Sequence, residues 1–324
     1  MYTRALRAPD TSKVVKPQAL APGDLVRVIS PAGPAQPAAI NRGVAELERL
    51  GYRVRFASPE MKPDGYFSGS LARRASELAV ALLDVESRAI ICVRGGYGSA
   101  MLLEELQSLR LKRPKLLIGF SDVTMLHAFF WQRARWTSIY GPMVAAGLAL
   151  GEDQPHGYDR ASFLHAISGT RRNWSIALGG EALVRGTATG VLLGGCLTLI
   201  QTTLGTPWSL DTRGAILLLE DVAMRPYQVD RALLHLQQAG KFRGVRGVVL
   251  GDFPDSAPPA GSDVTVRDVC RRVFGRLGIP VVFGAAVGHT YRPMLTVPLG
   301  VRARLTTSGE GKLEILEPAV SQPK

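Results

Sequence analysis

Residues 89–122 read AIICVRGGYGSAMLLEELQSLRLKRPKLLIGFSD. Two apolar runs, Ala89-Ile90-Ile91-Cys92-Val93 and Lys115-Leu116-Leu117-Ile118-Gly119-Phe120, each break into a turn at their carboxyl end, and a helical pattern through about residue 109 separates them. Short apolar runs bounded by glycine read as strands buried on both faces, and strands alternating with helices imply βαβ units in a mostly parallel sheet. Such sheets gather ligands at the carboxyl ends of their strands. The turns Arg94-Gly95-Gly96-Tyr97-Gly98 and Gly119-Phe120-Ser121-Asp122 are therefore where chemistry is sought first.

The same alternation extends to either side. Upstream, the pattern predicts a strand over 25–30 that ends in Pro31-Ala32-Gly33-Pro34, a helix over 37–50 stopped by Gly51, a strand over 52–56 and a helix over 71–83. Downstream, a helix runs from Asp122 into the Trp131 region. Between 151 and 180 the apolar periodicity lapses, and beyond it strands are expected over 188–193, 215–219, 245–250 and 302–306, with helices over 226–238 and 264–277. The expected fold class is α/β. An N-terminal extension over 1–21 precedes a parallel-sheet domain over 22–150, a connection over 151–180 and a smaller β-rich domain over 181–324.

Composition bounds the function. In 324 residues, 46% are hydrophobic and 20% charged, and the mean hydropathy is +0.09, which excludes a disordered or fibrous chain. No apolar run approaches the roughly 18 residues of a membrane span. The N-terminus has no apolar stretch of signal-peptide length, so a cytoplasmic address is expected for an untargeted, frayed extension. Thirty-nine Lys+Arg against 27 Asp+Glu give a net charge of +12, which invites a nucleic-acid reading. The charges are scattered into pairs such as Arg73-Arg74, Arg171-Arg172 and Arg271-Arg272, without the basic block of a nucleic-acid tail. Attraction to anionic small substrates is the milder reading, and neither nucleic acid nor membrane is expected as a partner. Cys92, Cys196 and Cys270 sit far apart in apolar stretches, as reduced core residues do. His127, His156, His165, His235 and His289 show no metal-ligand spacing, so neither metal nor cofactor is expected.

Four strand ends carry candidate chemistry. Ser121, at a sharp strand-to-helix turn, has the placement of a nucleophile elbow, although Val123 stands where the final glycine of G-x-S-x-G belongs; the bland alternative is a helix N-cap. The glycines of the 94–98 turn bring backbone N–H groups toward an oxyanion or phosphate, or else pack strand against helix. Glu220-Asp221 follows the apolar run Ile216-Leu217-Leu218-Leu219, where a carboxylate either orients a histidine or pairs with a cap or arginine. Gly288-His289 follows another apolar run, a better place for acid/base work than a helix. In that order, Ser, Glu and His meet the roles of nucleophile, orienting carboxylate and base.

The motifs Arg94-Gly95-Gly96-Tyr97-Gly98, Gly119-Phe120-Ser121-Asp122, Gly141-Pro142-Met143, Leu204-Gly205-Thr206-Pro207, Leu219-Glu220-Asp221 with Pro226-Tyr227 and Asp230-Arg231, Gly288-His289 and Pro298-Leu299-Gly300 stand in one order along the chain, together with the glycines between 190 and 195. In that order they resemble the LD-carboxypeptidase family. These are serine peptidases of the muramoyl-tetrapeptide carboxypeptidase type, and they include microcin C self-immunity peptidases. The resemblance implies a flavodoxin-like N-terminal domain, a swivelling-type C-terminal domain and a homodimer. It also implies a triad of Ser121, Glu220 and His289, with the N–H groups of Gly96 and Asp122 as oxyanion hole. The implied reaction cuts the bond before a C-terminal D-residue, as in releasing D-alanine from murein tetrapeptide. Two positions depart from the family pattern: Met224 where a Glu is usual, and Cys196 where Asn usually follows the glycine pair. They leave open whether the substrate is a muropeptide or a peptidyl-nucleotide. Arg94 and Arg231, within site motifs, are candidates for gripping the substrate's terminal carboxylate. A non-catalytic protein that binds an anionic ligand in its glycine loops is the rival of a different class.

Overall fold

A computed structural model describes residues 13–57, 61–109, 111, 113–170 and 173–322. The Arg171-Arg172 pair and residues 1–12 of the expected extension lie outside the described residues. The first half of the chain forms β1 (Leu25–Ile29), α1 (Pro37–Arg49), β2 (Arg53–Phe56), α2 (Leu71–Leu83), β3 (Ser87–Cys92), α3 (Leu102–Gln107), β4 (Leu116–Gly119), α4 (Thr124–Ala134), β5 (Ser138–Tyr140) and α5 (Arg160–Ser168). The second half forms β6 (Trp174–Ala177), β7 (Glu181–Val184), β8 (Thr187–Cys196), α6 (Leu197–Thr202), β9 (Ala215–Glu220), α7 (Pro226–Gln238), β10 (Gly247–Gly251), α8 (Val266–Phe274), β11 (Val281–Ala285), β12 (Val297–Leu299), β13 (Arg302–Thr306) and β14 (Lys312–Ile315).

The predicted α/β alternation becomes a six-stranded sheet in the order β12-β5-β4-β3-β1-β2, parallel from β2 to β5. Its central strands are buried on both faces, as their unbroken apolar runs require. Helix α1 starts on Pro37 and turns Ile40, Gly43 and Leu47 inward; α2 is capped by Ser70 and buries Leu78, Ala81 and Leu82. The strand order reverses between β1 and β3, and the turns that follow these two strands meet there, Gly33 N–H donating to Gly95 O at 3.0 Å.

The second sheet runs β6-β14-β13-β8-β9-β10-β11-β7, parallel from β8 to β11 and antiparallel at both ends. Helix α7 covers it with Val229, Ala232, Leu233 and Leu236, a stripe at the three-to-four-residue spacing of one helical face. No helix among the described residues is long and apolar enough to cross a membrane.

Three features depart from the linear reading. The stretch 151–180 is more than a connection: it holds α5 and β6, elements too short for nine and four residues to show a clear period, with Phe163, Ala166 and Ile167 buried. Residues 13–21 are tied down instead of frayed. Val15 N–H bonds Arg135 O at 2.9 Å, Lys16 pairs with Glu317 at 2.8 Å, and Leu20 is buried. Finally, β12 leaves the second half of the chain and pairs antiparallel with β5, closing the edge of the first sheet.

Candidate active site

The Ser121 turn is built at the end of β4. Ser121 adopts φ 61°, a left-handed conformation that costs a non-glycine residue about 1–3 kcal/mol and that tertiary contacts must sustain. A single 3-10 turn, Ser121–Val123, then leads into α4, and neither element takes a side-chain N-cap, so the capping reading of Ser121 is not what the turn uses. A Cβ on Gly95 would lie 2.8 Å from both Cβ and Oγ of Ser121 and 3.3 Å from the Asp122 nitrogen. Only glycine at 95 leaves open the space that Ser121 Oγ and the Asp122 N–H border. Gly96 takes φ 109°, again a glycine conformation.

Two side chains hold these turns in place. Asp122 is buried, and its Oδ2 accepts the Ser99 N–H at 2.8 Å; burial pushes this carboxyl's pKa up. Arg74 is also buried and donates to Pro31 O at 2.8 Å, Gly98 O at 3.0 Å and Gly69 O at 3.0 Å, with its guanidinium 4.5 Å from the Phe67 ring centroid. One member of a charge pair that looked merely scattered thus staples the two turns at the switch point. The Arg271-Arg272 pair lies at the surface, engaging Glu181 at 3.5 Å and Asp230 at 2.5 Å.

Across from this turn, β9 ends on Glu220, which is fully buried. Its Oε2 accepts the His289 backbone N–H at 2.9 Å and lies 2.8 Å from His289 Nδ1; its Oε1 accepts the Tyr140 hydroxyl at 2.5 Å. Two glycines make the niche. A Cβ on Gly288 would come within 2.4 Å of Glu220 Cδ, and one on Gly251 within 2.4 Å of Glu220 Cβ. Burial alone would raise the pKa of Glu220, but the His289 charge and the hydrogen bonds from His289 and Tyr140 outweigh it and hold it low. Burial alone would lower the pKa of His289, and Glu220 more than reverses that, so the ring sits above its ordinary value. With Nδ1–H directed at Glu220, Nε2 carries the lone pair.

The halves meet at Phe120, the residue before Ser121, whose ring stands edge-on to His289 with centroids 5.1 Å apart. No hydrogen bond joins Ser121 Oγ to the imidazole among the described residues. Phe120 and His289 both line a cleft of about 390 Å³, with Leu150, His156, Asp255, Tyr291 and Met294 among the other walls. Of its walls, His156 and Asp255 take left-handed φ of 58° and 56°, and so do Ala223 and Phe253 at 55° and 49°, next in the chain to the lining residues Val222 and Pro254.

The structure brings Gly95, Ser121 and the Asp122 N–H together on one side and Glu220 and His289 on the other, with Phe120 and Tyr140 as the links between them. Arg94 is exposed and turns to Pro34 O at 3.1 Å, and Arg231 is exposed on α7; neither is among the described residues that line the cleft, nor are Ser121, Gly96 and Asp122. The two departing positions also stand back from it. Cys196 is buried beneath, its N–H bonded to Thr124 Oγ1 at 3.1 Å, and Met224 packs against the core of the second sheet. Sequence reasoning missed Tyr140, whose only signal was its place at a strand end, and His156, Asp255 and Tyr291, which have no local signature.

Residues 26–141 match the LD-carboxypeptidase N-terminal domain and residues 189–305 the LD-carboxypeptidase C-terminal domain. The "Probable murein peptide carboxypeptidase" of Bacillus subtilis (strain 168) is 33% identical over 310 residues, covering 95% of this chain and 96% of that protein. Among solved structures, muramoyltetrapeptide carboxypeptidase from Oxalobacter formigenes superposes with a TM-score of 0.76 at 26% identity, over 93% of this chain and 100% of that one. The MccF-like protein from Bacillus anthracis str. Ames superposes with a TM-score of 0.80 at 25% identity, over 93% and 99%. By sequence, by fold and by the ordered strand-end motifs, the chain belongs to the LD-carboxypeptidase family of peptidases.

Proposed function

We propose that this peptidase is a serine-type LD-carboxypeptidase that hydrolyses the bond before a C-terminal D-amino acid, releasing D-alanine from murein tetrapeptide. The observation that carries this reading is the buried Glu220 carboxylate clasping His289 beside the strained Ser121 turn. His289 Nε2 takes the Ser121 hydroxyl proton as Oγ attacks the scissile carbonyl carbon, and Glu220 stabilises the imidazolium that forms. The N–H groups of Gly96 and Asp122 receive the oxyanion. Collapse of the tetrahedral adduct breaks the C–N bond, His289 returns the proton to the leaving amine, and an acyl-enzyme remains on Ser121. Water, deprotonated by the same imidazole, then releases the shortened peptide and regenerates the hydroxyl. The net charge of +12 favours capture of substrates that carry several carboxylates.

The test is mass-spectrometric identification of products from a panel of L,D- and L,L-peptides that includes murein tetrapeptide. Release of the terminal D-residue that falls about 10⁴- to 10⁶-fold in Ser121→Ala is expected. D-alanine release undiminished in that variant overturns the assignment. A peptidyl-nucleotide substrate is the second reading. It is favoured by the likeness to the B. anthracis MccF-like protein and by the Phe120 and Tyr291 walls, against which a nucleobase stacks. Cleavage of a peptidyl-nucleotide conjugate with murein tetrapeptide left intact would decide for it.

A further inference from the structure

Tyr140, the last residue of β5, is fully buried and stands between the two halves of the site. Its hydroxyl donates to Glu220 Oε1 at 2.5 Å and accepts the Ser121 N–H at 3.2 Å. One oxygen thus touches both the backbone of the nucleophile turn and the triad carboxylate, from a strand that carries neither. The ring is gripped on several sides. Phe120 meets it edge-on with centroids 6.3 Å apart, His127 lies 5.8 Å away, and a Cβ on Gly195 would stand 3.1 Å from Tyr140 Cε2. Gly195 at φ 142° is the residue that lets β8 pass this close.

We propose that the Tyr140 hydroxyl is a positioning group that holds the Ser121 turn and the Glu220 carboxylate in one register. The inference rests on the Ser121–His289–Glu220 reading above and deepens it. Bonding to Oε1 leaves Oε2 as the oxygen that meets both His289 donors, and so fixes which way the imidazole faces. Accepting the Ser121 N–H supports the left-handed turn that projects Oγ. Burial first, and the adjacent carboxylate second, push the phenol pKa well up, so the hydroxyl remains a donor across the working range.

The other groups around the pair are already engaged. Asp221 Oδ2 accepts Thr198 Oγ1 at 2.7 Å and Thr198 N–H at 2.9 Å, Cys196 is kept a neutral thiol by burial, and Asp252 is taken by Arg292 at 2.6 Å and by the Thr290 hydroxyl. On the cleft side, Asp255 accepts the Tyr291 hydroxyl and the His156 ring stands edge-on to Tyr291. None of them bonds Glu220 Oε1, so none replaces the phenol.

Labelling of Ser121 by a fluorophosphonate probe reads this role without knowledge of the natural substrate. In Tyr140→Phe the labelling rate should fall roughly ten- to a hundred-fold through misplacement of the reacting groups. Loss of a donor to the carboxylate makes the Glu220–His289 pair take up its proton more readily. The midpoint of the rate against pH should therefore move upward, by about one unit. Combined with Glu220→Gln, the loss should be less than the product of the two single losses, because Tyr140 acts through Glu220. An unchanged rate and midpoint in a Tyr140→Phe protein that is merely less heat-stable overturns the assignment, and so does simple additivity with Glu220→Gln. If Tyr140→Phe fails to fold, 3-fluorotyrosine at 140 keeps ring and hydroxyl but donates more strongly, and the midpoint should drop; an unmoved midpoint overturns the role. A wild-type chain that the probe leaves unlabelled at Ser121 overturns the serine reading itself and takes Tyr140's role with it. A labelled wild type with an unaltered Tyr140→Phe profile removes the Tyr140 role alone.

Discussion

His127 and His289 both make two polar contacts in the body of the protein, yet they titrate in opposite directions. His127, on α4, spans β4 and β5, with Nδ1 2.8 Å from Ser138 Oγ and Nε2 2.9 Å from Gly119 O. Neither partner is charged, so burial decides, and the pKa is pushed down to about 4. His289 faces the same penalty, but its partner is the buried Glu220 carboxylate, and its pKa rises. Burial alone makes a histidine an inert neutral strut; a buried anion beside it raises the pKa instead. A carboxylate fits there because glycines at 251 and 288 leave its niche vacant of side chains.

The largest effect breaks the His289 side of the contrast. His289→Ala should lower kcat for D-alanine release by about 10⁴-fold or more while the far-ultraviolet circular dichroism stays that of the parent. Near-parental turnover would reduce His289 to a second strut. Glu220→Gln keeps the shape of the niche but removes its charge, and a loss of roughly 10³- to 10⁴-fold in kcat is expected from steady-state kinetics.

A pH titration sharpens the contrast without destroying activity. The base must be neutral, and its pKa is raised, so kcat/KM should fall as pH drops through a midpoint above the ordinary histidine value of about 6.5. A midpoint below that value would mean that Glu220 does not outweigh burial. The smallest effect falls on His127. His127→Phe leaves Ser138 Oγ and Gly119 O without their partner and should cost about 1–3 kcal/mol in urea unfolding, with the acid limb of kcat/KM unmoved. A shifted limb would show that the strut also tunes the site.

Much of this was legible in the chain itself wherever local pattern and local structure coincide. The runs around residues 90, 117 and 217 are strands because unbroken apolar character suits only a doubly covered parallel strand, and α2, α7 and β13 appear with the expected limits. Ser121, Glu220 and His289 were visible as polar residues at strand ends. What was hidden depends on distance along the chain. Nothing near Tyr140 announces a partner 80 residues away. β6 presents only two buried residues, too few to show a period. Arg94 and Arg231 share motifs with the candidate site residues and are exposed, and a shared motif does not by itself place neighbours on one face, because successive residues on a turn or helix point in different directions.

The crossing of β12 into the first sheet has a further consequence. His289 lies on the span between Ala285, the end of β11 in the second sheet, and Val297, the start of β12 in the first. That span is a tether clamped at both ends to different sheets, so any rocking of one sheet against the other pulls directly on the segment that bears His289. It also makes the two halves unequal to independent expression. A fragment cut before residue 180 would bare the hydrogen-bonding edge of β5 that Val297, Pro298 and Leu299 now cover, and an uncovered edge strand invites pairing with another copy of itself.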